Sequence, residues 1–225
     1  MIDSISSLKH LWPTGDGLAT RANGASSGLL TWWDNEKFSL QITIENKNWL
    51  FVKLENKENK EAFWVGNIYG PTAQAQKETF WNSLEEQRYG KKKTLWFIAC
   101  DFNVIVSADE RKGGVKVRDP FGERLEDLAS QWGLTDIKPK NGVFTWSNKR
   151  IGPGHIATRL DRVLVSTHLL RNLPFPESKL LCSAVSDHKP LCLFFPPVEN
   201  LGPLPFRFNH LCLESEGVQD IIFKA

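Results

Sequence analysis

Between Phe38 and Tyr69 the chain places three strand-length apolar runs in succession, and the first alternates apolar and polar residues with a period of two. KFSLQITIE over 37–45 carries Phe38, Leu40, Ile42 and Ile44 on one side, the signature of a half-covered strand. NWLFVKLE over 48–55 follows after Asn46-Lys47, so these two runs form a hairpin. FWVGNIYG over 63–70 adds another strand, closed by Gly70-Pro71, and GLLTWW over 28–33 precedes them all as a further one. Over 73–89 the period changes: Phe80, Trp81, Leu84 and Tyr89 oppose Lys77, Glu78, Glu85 and Glu86, an amphipathic helix. After the lysines at 91–93, read as a solvated turn, comes TLWFIAC, apolar enough for a fully buried strand. A second helix opens at Asp119-Pro120, buries Leu125, Leu128 and Trp132, and stops at Gly133. Shorter strands are expected at 143–147, 159–166, 180–185 and 188–195, before Pro196-Pro197 ends the pattern. Many strands with helices set between them make a layered α+β sheet architecture.

Composition narrows the function classes. Of 225 residues, 41% are hydrophobic, and 28 basic residues stand against 26 acidic ones, which excludes a disordered chain and a generally basic nucleic-acid coat. No apolar run reaches membrane-spanning length, and the opening MIDSISSLKHLW lacks the basic head and apolar block of a signal peptide. Cys100, Cys182, Cys192 and Cys212 have no metal-knuckle spacing and read as reduced intracellular thiols. Trp32, Trp64, Trp96 and Trp146 sit among apolar strand residues and read as core.

Polar residues gather where strands end: Asn67 to Pro71, Cys100 to Asn103, Arg159 to Arg162, and Ser186-Asp187-His188. If these ends share an edge of the sheet, they form an oxygen-rich cluster suited to a hard cation such as Mg²⁺, with an Asp beside a His. Each has a plainer reading. Asp101 alone would be a turn residue, Asp161 would pair with Arg159 or Arg162 at the surface, and Tyr69 would pack.

In order, NIYGP, DFN, TWS, RLDR and SDH resemble the endonuclease/exonuclease/phosphatase superfamily, within it the endonuclease domain of plant LINE-type (non-LTR) retrotransposons. The resemblance implies a two-sheet α/β sandwich (DNase I-like) with its site at one edge. It implies divalent-metal-dependent hydrolysis of DNA phosphodiesters, using Mg²⁺ or Mn²⁺ and no small-molecule cofactor. Asp101 would activate the attacking water, helped by Asn103, and Asp161 would orient His188 toward the phosphate. Asp187 would assist the water or join Asp101 at the metal, and Tyr69 would touch the phosphate. Thr145, Ser186, Arg111 and Lys112 fall where DNA or phosphate contacts are expected, although the basic stretch 111–118 reads equally well as a plain loop.

The family opens with two strands, one bearing an Asn and one a metal-binding Glu in a QET-like motif, and neither is found here. The expectation is therefore a sandwich lacking its first two strands over 1–196, with 197–225 the lead-in to a reverse-transcriptase region. Catalysis would be weakened or lost; the alternative is a non-catalytic remnant that at most binds nucleic acid. A monomer that crosses no membrane and acts in the nucleus completes the expectation.

Overall fold

In the computed structural model, residues 9–10, 12–20, 28–88, 95–115, 118–172 and 174–197 are described. Its centre is a six-stranded sheet. In spatial order it comprises β3 (Phe38–Glu45), β4 (Trp49–Asn56), β5 (Ala62–Tyr69), β6 (Leu95–Asp101), β11 (Asp161–Ser166) and β8 (Leu134–Asp136). Neighbours run antiparallel except β5 and β6, which are parallel and joined by α1 (Gln74–Glu85). A parallel pair needs such a crossover, and the change from period two to helical period at 73 encodes it.

The pleat of the strands decides which face each side chain covers, and Leu40 and Ile42 of β3, expected on a half-covered face, lie exposed. Trp49, Phe51, Trp64, Ile68, Trp96 and Ile98 pack with Phe80, Trp81 and Leu84 of α1 and with Leu125 and Leu128 of α2 (Gly122–Trp132). This face is one continuous core, where Trp64 stacks on Trp96 at 5.3 Å and Trp81 on Phe102 at 5.3 Å. The helix begins three residues after Asp119, whose carboxylate accepts the Phe121 amide in the turn before it. It ends, as expected, at Gly133, whose φ of 64° only glycine adopts freely.

The opposite face is covered in two pieces. One hairpin, β1 (Gly15–Ala19) with β2 (Leu30–Asp34), lays Leu18, Leu29 and Trp33 over Leu50, Val52 and Leu54. The other, β12 (Glu177–Leu180) with β13 (Leu191–Phe194), lays Leu191 and Leu193 over Ile137, Val163 and Val165. Between them Ala99, near the end of the central strand β6, stays exposed, and the buried hydroxyl of Thr31 has no hydrogen-bond partner.

Several expectations are corrected. The strand at 15–19 was not foreseen, because GDGLA has too few apolar residues to alternate. Residues 143–147 contribute only β9 (Trp146–Ser147), which pairs with β10 (Ala157–Thr158), itself paired with β7 (Arg111–Lys112). The run 180–185 is a loop beyond Leu180, since the paired residues are 177–180; a short α3 (Leu169–Asn172) precedes them. The expected turn at 91–93 and the lead-in over 198–225 lie outside the described residues.

Gly70 shows how tightly the motif loops pack. Its amide donates to the Asp101 carbonyl at 2.6 Å, and a Cβ there would stand 2.4 Å from the Phe102 carbonyl oxygen. We expect Gly70→Ala to destabilise the protein by about 1–3 kcal/mol through overpacking, measured by urea denaturation. An unchanged midpoint would mean that the two loops separate without cost.

Candidate functional site

Strand register builds the site. Tyr69 ends β5 opposite Asp101, which ends β6, and Asp101 stands opposite Asp161, which begins β11. The three side chains thus come from one row across adjacent strands, and Asp101, Asp161 and His188 line a common cavity of about 540 Å³ with Tyr69 and Ser186.

His188 is carried in by the loop before β13, pinned to β9. Trp146 and His188 form an antiparallel bridge, the Ser147 amide donates to the Asp187 carbonyl, and the Lys189 amide donates to the Thr145 carbonyl. The His188 ring then meets Asp161, with Nδ1 2.9 Å from Oδ2, and Nε2 lies 3.9 Å from an Asp101 oxygen. One donor atom from each of Asp101, Asp161 and His188 falls within 4.8 Å of the others, a grouping suited to a metal ion.

The electrostatics follow from crowding. Burial, and then the neighbouring Asp161 carboxylate, push Asp101 up to about 6. The hydrogen bond to Asp161 raises the His188 imidazole above its ordinary value despite partial burial. Asp101 accepts the Asn103 amide at 2.8 Å, and the Asn103 side chain donates to the Gly70 carbonyl at 2.8 Å. Asn103 itself has φ of 52°, a left-handed conformation that asparagine tolerates better than most residues.

The RLDR motif differs most from its plain reading. Arg159 and Arg162 are not surface partners of Asp161; each is only 2% exposed and both bind Glu110 and Asp136. Arg159 sets its two terminal nitrogens on the Asp136 carboxylate at 2.7 and 2.6 Å. Two arginines and two carboxylates balance in charge beneath the site, leaving the Asp161 carboxylate to His188. Burial alone would raise the Glu110 carboxyl, but the hydrogen bonds and charge of Arg162 outweigh it and hold it at about 2. Sequence reasoning missed this quartet because Glu110 and Asp136 lie far from the motif in sequence.

Other expected residues take different places. Thr145 is fully buried, and its hydroxyl accepts the Leu160 and Asp161 amides at 3.0 Å each, so it orients the start of β11 instead of meeting a phosphate. The exposed Asp187 carboxylate accepts the Trp146 indole N–H at 2.8 Å, which lowers its pKa, and it lies outside the Asp101–Asp161–His188 grouping. Ser186 turns its hydroxyl to the His188 amide at 3.1 Å. Arg111 lines a separate cavity of about 320 Å³, and Lys112 lines neither. Trp64 and Trp96 are core as expected, whereas Trp32 and Trp146 are only half-buried. Trp146 supports the site by its bridge to His188 and its hydrogen bond to Asp187, a place that its strand-like context concealed.

No protein-family model matches the chain, and no curated protein matches it. Solved structures do. The endonuclease domain of TRAS1, a telomere-specific non-LTR retrotransposon, superposes with a TM-score of 0.62 at 15% identity, over 88% of this chain and 91% of that one. Zebrafish TDP2, solved with a single-strand DNA product, gives 0.57 at 13% identity over 85% and 81%. A mannosyl-6-phosphatase of Bacteroides thetaiotaomicron gives 0.52 at 15% identity over 86% and 82%. The shared architecture is the DNase I-like α+β fold.

Proposed function

We propose that this chain carries the machinery of a divalent-metal-dependent phosphodiesterase acting on DNA. The observation that carries this reading is the meeting of Asp101 and Asp161, from the paired ends of β6 and β11, with His188 from the loop before β13. Retrotransposon endonuclease and DNA-bound structures among the folds it shares support DNA over a small phosphoester. Genomic DNA as substrate would place its action in the nucleus.

The residues divide the chemistry by position. Asp161 holds the imidazole through Nδ1, leaving Nε2 to donate to a phosphate oxygen when the ring is protonated. Asp101, ionised above about 6, accepts a proton from the attacking water, and Asn103 fixes its carboxylate through the backbone amide. Tyr69, 38% exposed and lining the cavity, would touch the phosphate.

The two crowded carboxylates are oxygen donors that a hard divalent cation fits, because its charge would relieve the repulsion that raises Asp101. Asp101, with Asp161 beside it, would hold Mg²⁺ or Mn²⁺, which would supply neutralising charge to the phosphate while His188 donates to it. Asp187, one of whose oxygens accepts the Trp146 indole N–H, would assist the attacking water or the metal from the rim. The gap over Ala99 is our proposed place for the two strands that the resemblance expects, one with the family's Glu.

Nicking of supercoiled plasmid in MgCl₂ or MnCl₂ tests the reading. The wild-type protein should nick, and Asp101→Ala and His188→Ala should each lower the rate by at least about a hundredfold. Plasmid that stays supercoiled at every metal concentration would leave the second reading, a non-catalytic remnant. The open side of the site over the exposed Ala99 favours that reading.

A further inference from the structure

We infer that Lys77 is a positioning residue for the candidate catalytic carboxylate, acting through the left-handed turn at Asn103; this rests on the phosphodiesterase reading above. Lys77 lies on α1 and is 6% exposed, although lysine is rarely buried without a task for its charge. Its ammonium donates to the Asn103 carbonyl at 2.7 Å. It also stands 3.5 Å from Asp119 and 5.7 Å from the centre of the Phe121 ring.

The geometry explains why a cation is used there. A left-handed residue turns its carbonyl away from the course that an extended strand would give it, and here the oxygen faces the protein interior. An inward carbonyl without a donor is costly, so something must pair with it. A serine or asparagine on the helix lacks the reach, whereas a lysine stem spans the distance and its three donors serve Asn103 and Asp119 together. The Asn103 amide, on the other side of the same residue, is the group that holds Asp101. Lys77 is therefore two contacts from the reacting atoms. It ties together the helix after NIYGP, the DFN turn and the turn that precedes α2.

Lys77→Met keeps the stem and removes the charge, and Lys77→Arg restores a buried cation. On plasmid in MgCl₂, Lys77→Met should lower kcat by about a hundredfold with KM within about twofold, the signature of a displaced group instead of lost binding. Lys77→Arg should recover at least about a tenth of the wild-type kcat. A purely structural role would cost thermal stability and leave kcat of the folded protein unchanged, which would overturn the inference.

Amide hydrogen exchange separates this idea from the reading beneath it. In Lys77→Met, the Asn103 amide should exchange at least about tenfold faster while amides of β4 and β5 keep their protection. If the wild-type protein never cleaves DNA, the phosphodiesterase reading fails and exchange alone decides whether Lys77 holds the turn. Unchanged protection at Asn103 overturns the clamp whatever the activity.

Discussion

Replacing Asp101 by Asn should stabilise the metal-free protein at neutral pH while abolishing its hydrolysis. Asp101 has its pKa raised from 3.8 to about 6 by burial and by Asp161. An acid whose folded pKa exceeds its unfolded one binds its proton more tightly in the folded state. Stability therefore falls as pH rises from 3.8 through 6, and the whole penalty is present at pH 7.5. A shift of about two units corresponds to roughly 3 kcal/mol, which the neutral amide of the variant escapes. The Asn side-chain oxygen can still accept the Asn103 amide, so the turn need not move. Thermal unfolding in EDTA between pH 4 and 8 reads the effect: the variant's advantage should be absent at pH 4 and largest at pH 8.

A divalent ion should reverse the order. Binding to the folded site at a hundred times its dissociation constant stabilises by about 2.7 kcal/mol. Mg²⁺ should raise the melting temperature of the wild-type protein and leave Asp101→Asn nearly unchanged. Equal shifts in both proteins would mean that the ion binds elsewhere. A variant no more stable than the wild type at pH 7.5 would mean that Asp101 is not strained.

The sequence carried the strands and the site unequally. The apolar runs 37–45, 48–55 and 63–70 encode β3 to β5 and the switch at 73 encodes α1, although Leu40 and Ile42, which alternate in β3, lie exposed instead of covering a core. Asp101, Asp161 and His188 could be chosen as residues because they sit at strand ends. That they meet is a matter of register, which no local pattern records. Thr145 was misplaced for a related reason. A threonine beside a motif reads as a ligand contact, whereas its hydroxyl orients the Asp161 amide from within the core. Arg159 and Arg162 look like surface charges in a string of letters, and only partners 23 to 52 residues away reveal them as buried. Trp146 and Lys77 escaped as site residues because each looks like an ordinary member of its element.

That buried quartet carries the second large effect. Glu110→Ala should destabilise the protein by about 3–5 kcal/mol, because it leaves two buried guanidinium groups with Asp136 alone. Glu110→Gln, which keeps an acceptor for the Val106 amide, should cost less but still lose the charge balance. Urea denaturation checks both, and a change below about 1 kcal/mol for Ala would show that the arginines find water or another partner. The pH response has the opposite sign to that of Asp101. Glu110 falls from 4.5 to about 2 on folding, so its stabilisation is present above 4.5 and is lost as pH drops through 2. His188 acts with Asp101: its raised pKa gives stability that is present below its ordinary value of 6.5 and lost as pH rises. Acid therefore attacks the support under the site, and base loads the site itself. The metal-free protein should be most stable near about pH 4–5, below the usual optimum for globular proteins. Glu110→Gln should flatten the acid side of that curve, Asp101→Asn should flatten the neutral side, and saturating Mg²⁺ should move the maximum toward neutrality.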